Sequence, residues 1–222
     1  MQKYSVFSLI KNAFSNHQNW EVAWKDPTPK SEYDVVIIGG GGHGLATAYY
    51  LAKEHNIRNV AIIEKGWIGG GNVGRNTTII RSNFMYDANA RFNEFGMDLW
   101  RNLSQELNFN VMFSPRGIIN LAHSDAQMNA YARRGNSMRL NGIDAKLLDR
   151  DGVKKLIPMA DFSDEVRFPI FGGLMQPSAG TARHDAVAWG YARQADDMGV
   201  DIIQHCEVTG FDVVNGKIKG IR

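Results

Sequence analysis

An α/β fold built on a parallel sheet is what the sequence predicts, and three observations predict it. Val35, Val36, Ile37 and Ile38 form a short β-branched run that glycines follow at once, spaced G-x-G-x-x-G at Gly39, Gly41 and Gly44. A helix-length segment joins this run to a second apolar one, Val60 to Ile63, which an acid closes at Glu64. Far downstream, Asn215-Gly216 separates two further apolar runs, so a β-meander accompanies the parallel strands. Strand, glycine turn, helix, strand and acid together make a Rossmann-type nucleotide unit.

Residues 1–32 read as an N-terminal arm. Residues 4–14 are mildly amphipathic, but Lys11 and Asn12 interrupt them and no small-residue cleavage site follows, which argues against a secretory signal. Pro27 and Pro29 precede the first strand, and Phe14, Trp20 and Trp24 are costly to leave in water. An extended arm lying on a partner or on the chain's own surface is therefore expected.

The run 35–38 has the composition of a central parallel strand buried on both faces. Gly39 permits a tight turn, Gly41 lets backbone approach a pyrophosphate, and Gly44 lets the helix pack closely on the strand. Gly42 and His43 complete this cofactor-binding loop, His43 as a packing residue or as a support behind the residues that touch the cofactor. Residues 45–53 continue as a helix whose N-terminal amides and dipole face the phosphates. Glu64 stands about 20 residues after Gly44, the spacing of an acid that accepts bonds from ribose hydroxyls. An acid there argues against a 2′-phosphate and so against NADP. Lys65, next to it, is placed with the cofactor-binding residues.

Residues 69–84, GGGNVGRNTTIIRSNF, form a loop dense in amides and hydroxyls, able to wrap a pyrophosphate or an isoalloxazine edge. Its expected cofactor contacts are Asn72, Arg75, Asn76, Thr77 and Thr78. Two arginines beside Ile79-Ile80, Arg75 and Arg81, imply a partly buried anion.

Beyond the loop, residues 88–107 place Phe92, Phe95, Leu99, Trp100, Leu103 and Leu107 on one helical face. Residues 111–113 and 118–121 flank Ser-Pro-Arg-Gly as a hairpin. Residues 125–140 are helical and stop at Asn141-Gly142, and Asp149 caps a short helix that ends before Pro158. Residues 184–197 form another helix, and one strand then runs through residues 200–214, with His205 and Cys206 on its alternate faces. Regular βαβ repeats are absent. Instead an α+β insertion, residues 85–181, interrupts a domain made of residues 33–84 and 182–222. The late sheet lacks an obvious closing strand, so the sequence reads as the N-terminal portion of a longer protein.

With 222 residues, 44% of them hydrophobic and 22% charged, and a net charge of +2, the chain has an ordinary soluble globular composition. No dense Lys/Arg stripe points to a nucleic-acid partner. The apolar runs fall short of the ~20 residues that span a bilayer, so no membrane partner is expected. Cys206, the single cysteine, excludes an intrachain disulfide, fits a reducing cytoplasm and is expected as a core thiol. With no zinc-type Cys/His cluster, nucleophile elbow or Walker loop, no metal site is expected.

Four stretches carry a more specific resemblance: DVVIIGGGGHGLATAYYLAKEH, EKGWIGGGNVGRNTTIIRSNF, RGIINLAHS and GTARHDAVAWGYARQADDMGVDIIQHCEVTGF. Together they resemble the beta-subunit family of heterotetrameric sarcosine oxidases, within the D-amino-acid-oxidase-like flavoprotein superfamily, over nearly the whole chain. The resemblance implies an FAD held noncovalently, with residues 33–84 and 182–222 as an incomplete FAD-binding domain. Residues 85–181 then begin a substrate and flavin-linking domain. It also implies alpha, gamma and delta partner subunits, a covalent FMN at the junction with alpha, and electron flow from FAD to FMN to oxygen. Sarcosine (N-methylglycine) is the implied substrate. Its imine product releases the methyl carbon to tetrahydrofolate in the partner chain, or as formaldehyde.

Residue by residue, Gly39, Gly41, Gly44 and Glu64 match the FAD fingerprint. Arg81 aligns with the arginine that binds the substrate carboxylate in monomeric relatives, a task its bidentate fork suits. His184, in GTARHDAVAW, matches the flavinylation region and is the implied point of FMN attachment. Family members can carry a second histidine two positions on, where this chain has Ala186. The lysine that completes carboxylate binding and oxygen chemistry falls beyond the matched residues.

Two other classes stay open beside this one. An NAD-dependent dehydrogenase would continue with regular βαβ units, and a noncatalytic nucleotide-binding or assembly subunit would need no substrate site. Within the flavin class, dimethylglycine, glycine and D-amino acids are alternative substrates.

Overall fold

The computed structural model describes residues 5–18 and 22–222, so Tyr4 and Trp20 of the expected arm lie outside the described residues. The chain forms two compact units: Met1–Thr77, Gln105–Val111 and His184–Arg222 make the first, and Thr78–Ser104 and Met112–Arg183 the second. Among the described residues, no helix is long and apolar enough to cross a membrane.

The first unit holds α1 (Val6–Phe14), β1 (Val35–Ile38), α2 (Gly42–His55), β2 (Val60–Ile63) and a 3-10 turn over Asn72–Arg75. It resumes with α6 (His184–Asp197), β8 (Asp201–Ile203), β9 (Phe211–Val214) and β10 (Lys217–Ile221). Its sheet is parallel, in the order β1-β2-β8, with Val35 opposite Val60 and Ala61 opposite Asp201. The central strand is therefore β2, not the run 35–38. All four residues of β2 are buried, while β1 is an edge strand on which Val36 and Ile38 are 37% and 53% exposed. A β-branched run fits either place; what decides is β8, which returns late in the chain and pairs on the far side of β2.

Two further expectations change in this unit. The arm is helical rather than extended over Val6–Phe14: Ser5 caps α1 through its hydroxyl, which accepts from the Ser8 amide at 3.1 Å. Phe7 and Phe14 on it are exposed. The single strand expected over 200–214 is two strands, broken at His205, whose φ is +53°. There the chain crosses to the loop after β2, the His205 amide donating to Gly66 O and the Cys206 amide to Glu64 O. Cys206 packs half-buried against Ala61, Ile63 and Ile203. The β9–β10 turn is as the sequence reads: Asn215 and Gly216 both take positive φ, 52° and 73°, which suits the right-handed twist of a two-residue hairpin.

The second unit holds β3 (Ile79–Ile80), most of α3 (Asp87–Glu106), β4 (Ile118–Ala122), α4 (Asp125–Leu140), β5 (Lys146–Asp149), α5 (Arg150–Leu156), β6 (Gly172–Gln176) and β7 (Gly180–Thr181). β6 is the centre of an antiparallel sheet ordered β4-β6-β5. Against it lies a core of Ala90, Met138, Ile143 and Leu174. The side chains of Ser124 and Asp149 cap α4 and α5.

The expected Ser-Pro-Arg-Gly hairpin does not form. Residues 114–117 dock on residues 179–181 instead, with Ser114 and Thr181 exchanging both backbone bonds at 2.7 and 3.1 Å. Gly180 makes this possible, since a Cβ there would stand 2.1 Å from Ser114 O. The face of α3 is also rotated from expectation. Leu103 is buried as predicted and so is Leu107 just beyond the helix, but Phe92 and Phe95 are 77% and 65% exposed, and Ala90 and Met97 are buried in their place. A methyl-sized side chain at 90 can sit in the core with Met138 and Leu174, where a phenyl ring would not fit.

Candidate functional site

The nucleotide end of the first unit is built where β1 stops. Gly39 takes φ +109°, a conformation L-residues rarely adopt, and its amide donates to Ile63 O at 2.8 Å. The chain then turns so sharply that a Cβ on Gly44 would lie 2.1 Å from Gly39 O. Gly41 caps α2 with no side-chain bond, and the first turn of the helix carries no acid. The amides of that turn have no partner within the helix, and the helix dipole makes this end positive. A bare, positive, amide-lined turn is what a pyrophosphate requires.

Glu64 is fixed beside it. Its Oε2 accepts the Gly40 amide at 2.7 Å and its Oε1 the Gly66 amide at 2.8 Å. The Glu64 amide donates to Ile203 O at 2.9 Å, and its carbonyl accepts the Cys206 amide at 3.0 Å. Each carboxylate oxygen keeps a second lone pair for a hydroxyl donor. The 69–75 loop closes over the turn: the Gly69 amide donates to Gly40 O at 3.0 Å, and Val73 Cγ2 stands 3.7 and 3.5 Å from where Cβ atoms on Gly41 and Gly42 would be. His43, Lys65, Asn72, Arg75 and Thr77 are exposed around this turn, and Asn76 is held by donating to Val73 O at 2.7 Å.

α6 packs against both α2 and the 3-10 turn. His184 is its first residue; the ring is half-buried, and Nδ1 is buried without a hydrogen-bond partner among the described residues.

The second unit holds Arg81. Thr78, just before it, takes φ +61°, uncommon for a β-branched residue and of the kind found at functional sites. Arg81 follows β3 and is half-buried. Its Nη1 donates to Asn83 Oδ1 at 2.6 Å, and its guanidinium lies 5.3 Å above the Phe84 ring. Asn83 is fully buried, with Nδ2 donating to Asn120 Oδ1 at 2.8 Å. A second arginine, Arg134 of α4, reaches the same residue: Nε donates to Asn83 O at 2.6 Å and Nη2 to both Asn83 O and Asn83 Oδ1. Burial, and after it the Arg81 charge, pull the Arg134 pKa below the ordinary arginine value. Ser82 and Gln176, both fully buried, lock the backbone from the other side, the Ser82 amide donating to Gln176 Oε1 at 3.0 Å.

The structure thus gathers Gly39 to Gly44, Glu64 and the 69–75 loop in one unit and places Arg81 in a polar cluster of the other. Asn83, Arg134 and Gln176 escape the sequence. Asn83 sits two positions from Arg81 with no motif to mark it. Only the phase of α4 tells Arg134, which is half-buried, from exposed Arg133. Among the described residues, no group of three or more His, Cys, Asp or Glu could hold a metal ion.

Known proteins resemble the chain over nearly its whole length. The chain is 60% identical over 219 residues to a sarcosine oxidase subunit beta of Rhizobium meliloti, covering 99% of this chain and 52% of that protein. It is 51% identical to a sarcosine oxidase subunit beta of Rhodobacter capsulatus, covering 100% of this chain and 53% of that one. Among solved structures, L-proline dehydrogenase from P. horikoshii matches at TM-score 0.79 and 29% identity, over 87% of this chain and 49% of that one. The chain spans about half the length of the curated relatives it matches. The family described as FAD dependent oxidoreductase matches residues 34–222. Because that match begins one residue before the strand that feeds the glycine turn, and takes in both the turn and Glu64, the chain belongs to the FAD dependent oxidoreductase family.

Proposed function

We propose that this chain acts within the beta subunit of a hetero-oligomeric sarcosine oxidase, alongside alpha, gamma and delta subunits. The observation that carries the reading is the 60% identity, over 99% of this chain, to a protein of that name. Sarcosine loses two electrons and two protons across its methyl C–N bond. Hydrolysis of the imine gives glycine and formaldehyde; alternatively tetrahydrofolate, a co-substrate in the partner chain, takes the one-carbon unit. FAD in the glycine turn supplies the two-electron acceptor, and FMN on His184 the route onward to oxygen.

The chain's own residues bind and orient. The amides at the start of α2 hold the pyrophosphate, with Gly39, Gly41, Gly42 and Gly44 giving it room, and Glu64 accepts the ribose hydroxyls. His43, Lys65, Asn72, Arg75, Asn76, Thr77 and Thr78 line the cofactor. Arg81 takes the substrate carboxylate; its Nη1 is held by Asn83, and its Nε and Nη2 edge has no acceptor among the described residues. His184 supports covalent attachment through a ring nitrogen that has no hydrogen-bond partner among the described residues.

Two measurements on the complex purified from its source test this. Anaerobic sarcosine should bleach the visible flavin absorbance, and bleaching by dimethylglycine, glycine or a D-amino acid but not by sarcosine would replace the substrate. A tryptic peptide containing His184 should carry a flavin mass adduct that His184→Ala abolishes while noncovalent FAD stays. An adduct on another residue would move the attachment site.

A further inference from the structure

Two guanidinium groups converge on one neutral side chain in the second unit. Arg81 and Arg134 both donate to Asn83 Oδ1, at 2.6 and 3.1 Å. Neither has a carboxylate partner among the described residues. Half-buried cations are ordinarily paired with an acid, because burial without one is costly. Here the shared acceptor is an uncharged amide that cannot neutralise either of them. Such a pair is left with an excess of positive charge that a small anion relieves.

The cluster is built so that one of the two arginines is free to act. Arg134 gives Nε and Nη2 to Asn83, so its fork is used on the protein itself. Asn83 cannot move in response. Its amide nitrogen is held by Asn120, and the preceding Ser82 is held by Gln176 at its amide and through its hydroxyl. Arg81 therefore meets a fixed acceptor at Nη1 and a fixed ring below its plane. Its Nε and Nη2, one edge of the fork, have no acceptor among the described residues. A planar monocarboxylate fits such an edge with two parallel hydrogen bonds.

Taking Arg81 as the carboxylate-binding residue proposed above, we propose that Asn83 and Arg134 are positioning residues that fix the Arg81 guanidinium and keep its charge unneutralised, so that the free edge receives a monocarboxylate. The choice of asparagine over aspartate at 83 is then functional. An aspartate would pair with both arginines and cancel the charge the ligand needs.

The test uses the assembled, FAD-loaded enzyme. Binding of acetate, the minimal monocarboxylate, is read from its perturbation of the flavin spectrum. KM and kcat are measured for N-methylglycine and for N-methylglycinamide, which lacks the carboxylate. Asn83→Asp keeps size and shape, and Asn120 can turn its amide to donate to the new oxygen. This variant should weaken acetate binding and raise the KM for N-methylglycine about tenfold or more, the scale of one charged hydrogen bond. The KM for the amide should stay within about twofold. Arg134→Gln should act in the same direction, and Arg134→Lys, which keeps the charge but loses the fork, should fall between. A purely structural role would lower flavin content and kcat and raise the KM for both substrates together.

Two outcomes overturn the inference, and they differ. If Arg81→Lys weakens acetate binding while Asn83→Asp and Arg134→Gln leave it within about twofold, the positioning role is wrong and the carboxylate reading of Arg81 stands. If Arg81→Lys itself leaves acetate binding unchanged, the carboxylate lies elsewhere and both readings fall. Should Arg134→Gln not fold, Asn83→Asp decides alone.

Discussion

Both carboxylate oxygens of Glu64 accept amide hydrogens from the chain itself, one from Gly40 and one from Gly66. With the ribose role proposed above, the acid has two tasks, shaping the turn and facing the ribose, and a substitution removes both. Glu64→Ala should weaken FAD retention by about 1–3 kcal/mol, the range for hydrogen bonds to a charged acceptor. Titration of the apo-protein with FAD measures it, and an unchanged affinity would sink the ribose assignment. The apo-protein should also melt lower, because two amides lose their acceptors; a lower melting temperature with normal FAD affinity would leave Glu64 a structural residue only. At this scale the sequence is legible where spacing itself is chemistry. The glycines and Glu64 can be found by counting, and at two of them the turn has no other solution: Gly39 takes φ +109°, and a Cβ on Gly44 would meet Gly39 O. Asn83 and Arg134 cannot, because their partnership spans about 50 residues and depends on a helix phase that Arg133 and Arg134 share in the sequence but not in space.

Between α2 and α6, three tyrosine rings meet at their edges: Tyr49 lies 4.9 Å from Tyr50 and 5.4 Å from Tyr191, centroid to centroid. Burial pushes the Tyr191 hydroxyl well above its ordinary pKa of 10.0. The sign of the effect follows. Below pH 10 the group is neutral in both the folded and unfolded chain and contributes nothing. Above it the unfolded chain ionises while the folded one stays neutral, so stability falls as pH rises, by about 1.4 kcal/mol per pH unit at most. Tyr191→Phe should flatten that slope between pH 10 and 11 in urea unfolding, and an unaltered slope would show that the hydroxyl is not shielded. Helix boundaries are readable at this scale, since α5 follows Asp149, the cap read from the sequence, and α4 follows Ser124, which caps by its side chain in the same way. The strands are less so. Residues 114–117 take their partners from residues 179–181, and Gly172–Gln176 has none of the β-branched side chains that mark a strand locally.

Over the whole molecule, apolar residues remain uncovered in the first unit. On the β9–β10 hairpin, Val213 is paired with Ile218, and they are 57% and 65% exposed. Exposed apolar side chains of this kind favour association. Val213→Thr with Ile218→Thr should reduce concentration-dependent light scattering of the isolated chain while leaving its thermal midpoint within a few degrees. Equal scattering would place the adhesive surface elsewhere, with α1 and its exposed Phe7 and Phe14 next in line.

The strand order β1-β2-β8 also sets a timetable for synthesis. On a ribosome, β1, α2 and β2 emerge together, but the strand that completes the second edge of β2 follows about 140 residues later, roughly 7 to 30 seconds at ordinary elongation rates. During that interval the unit spanning Thr78–Ser104 and Met112–Arg183 is made in full, since all of it lies before β8 in the chain. The most deeply buried strand of the finished sheet is thus the one that waits longest with an open edge. Pairing of β2 with β8 is therefore the late event in folding of the first unit.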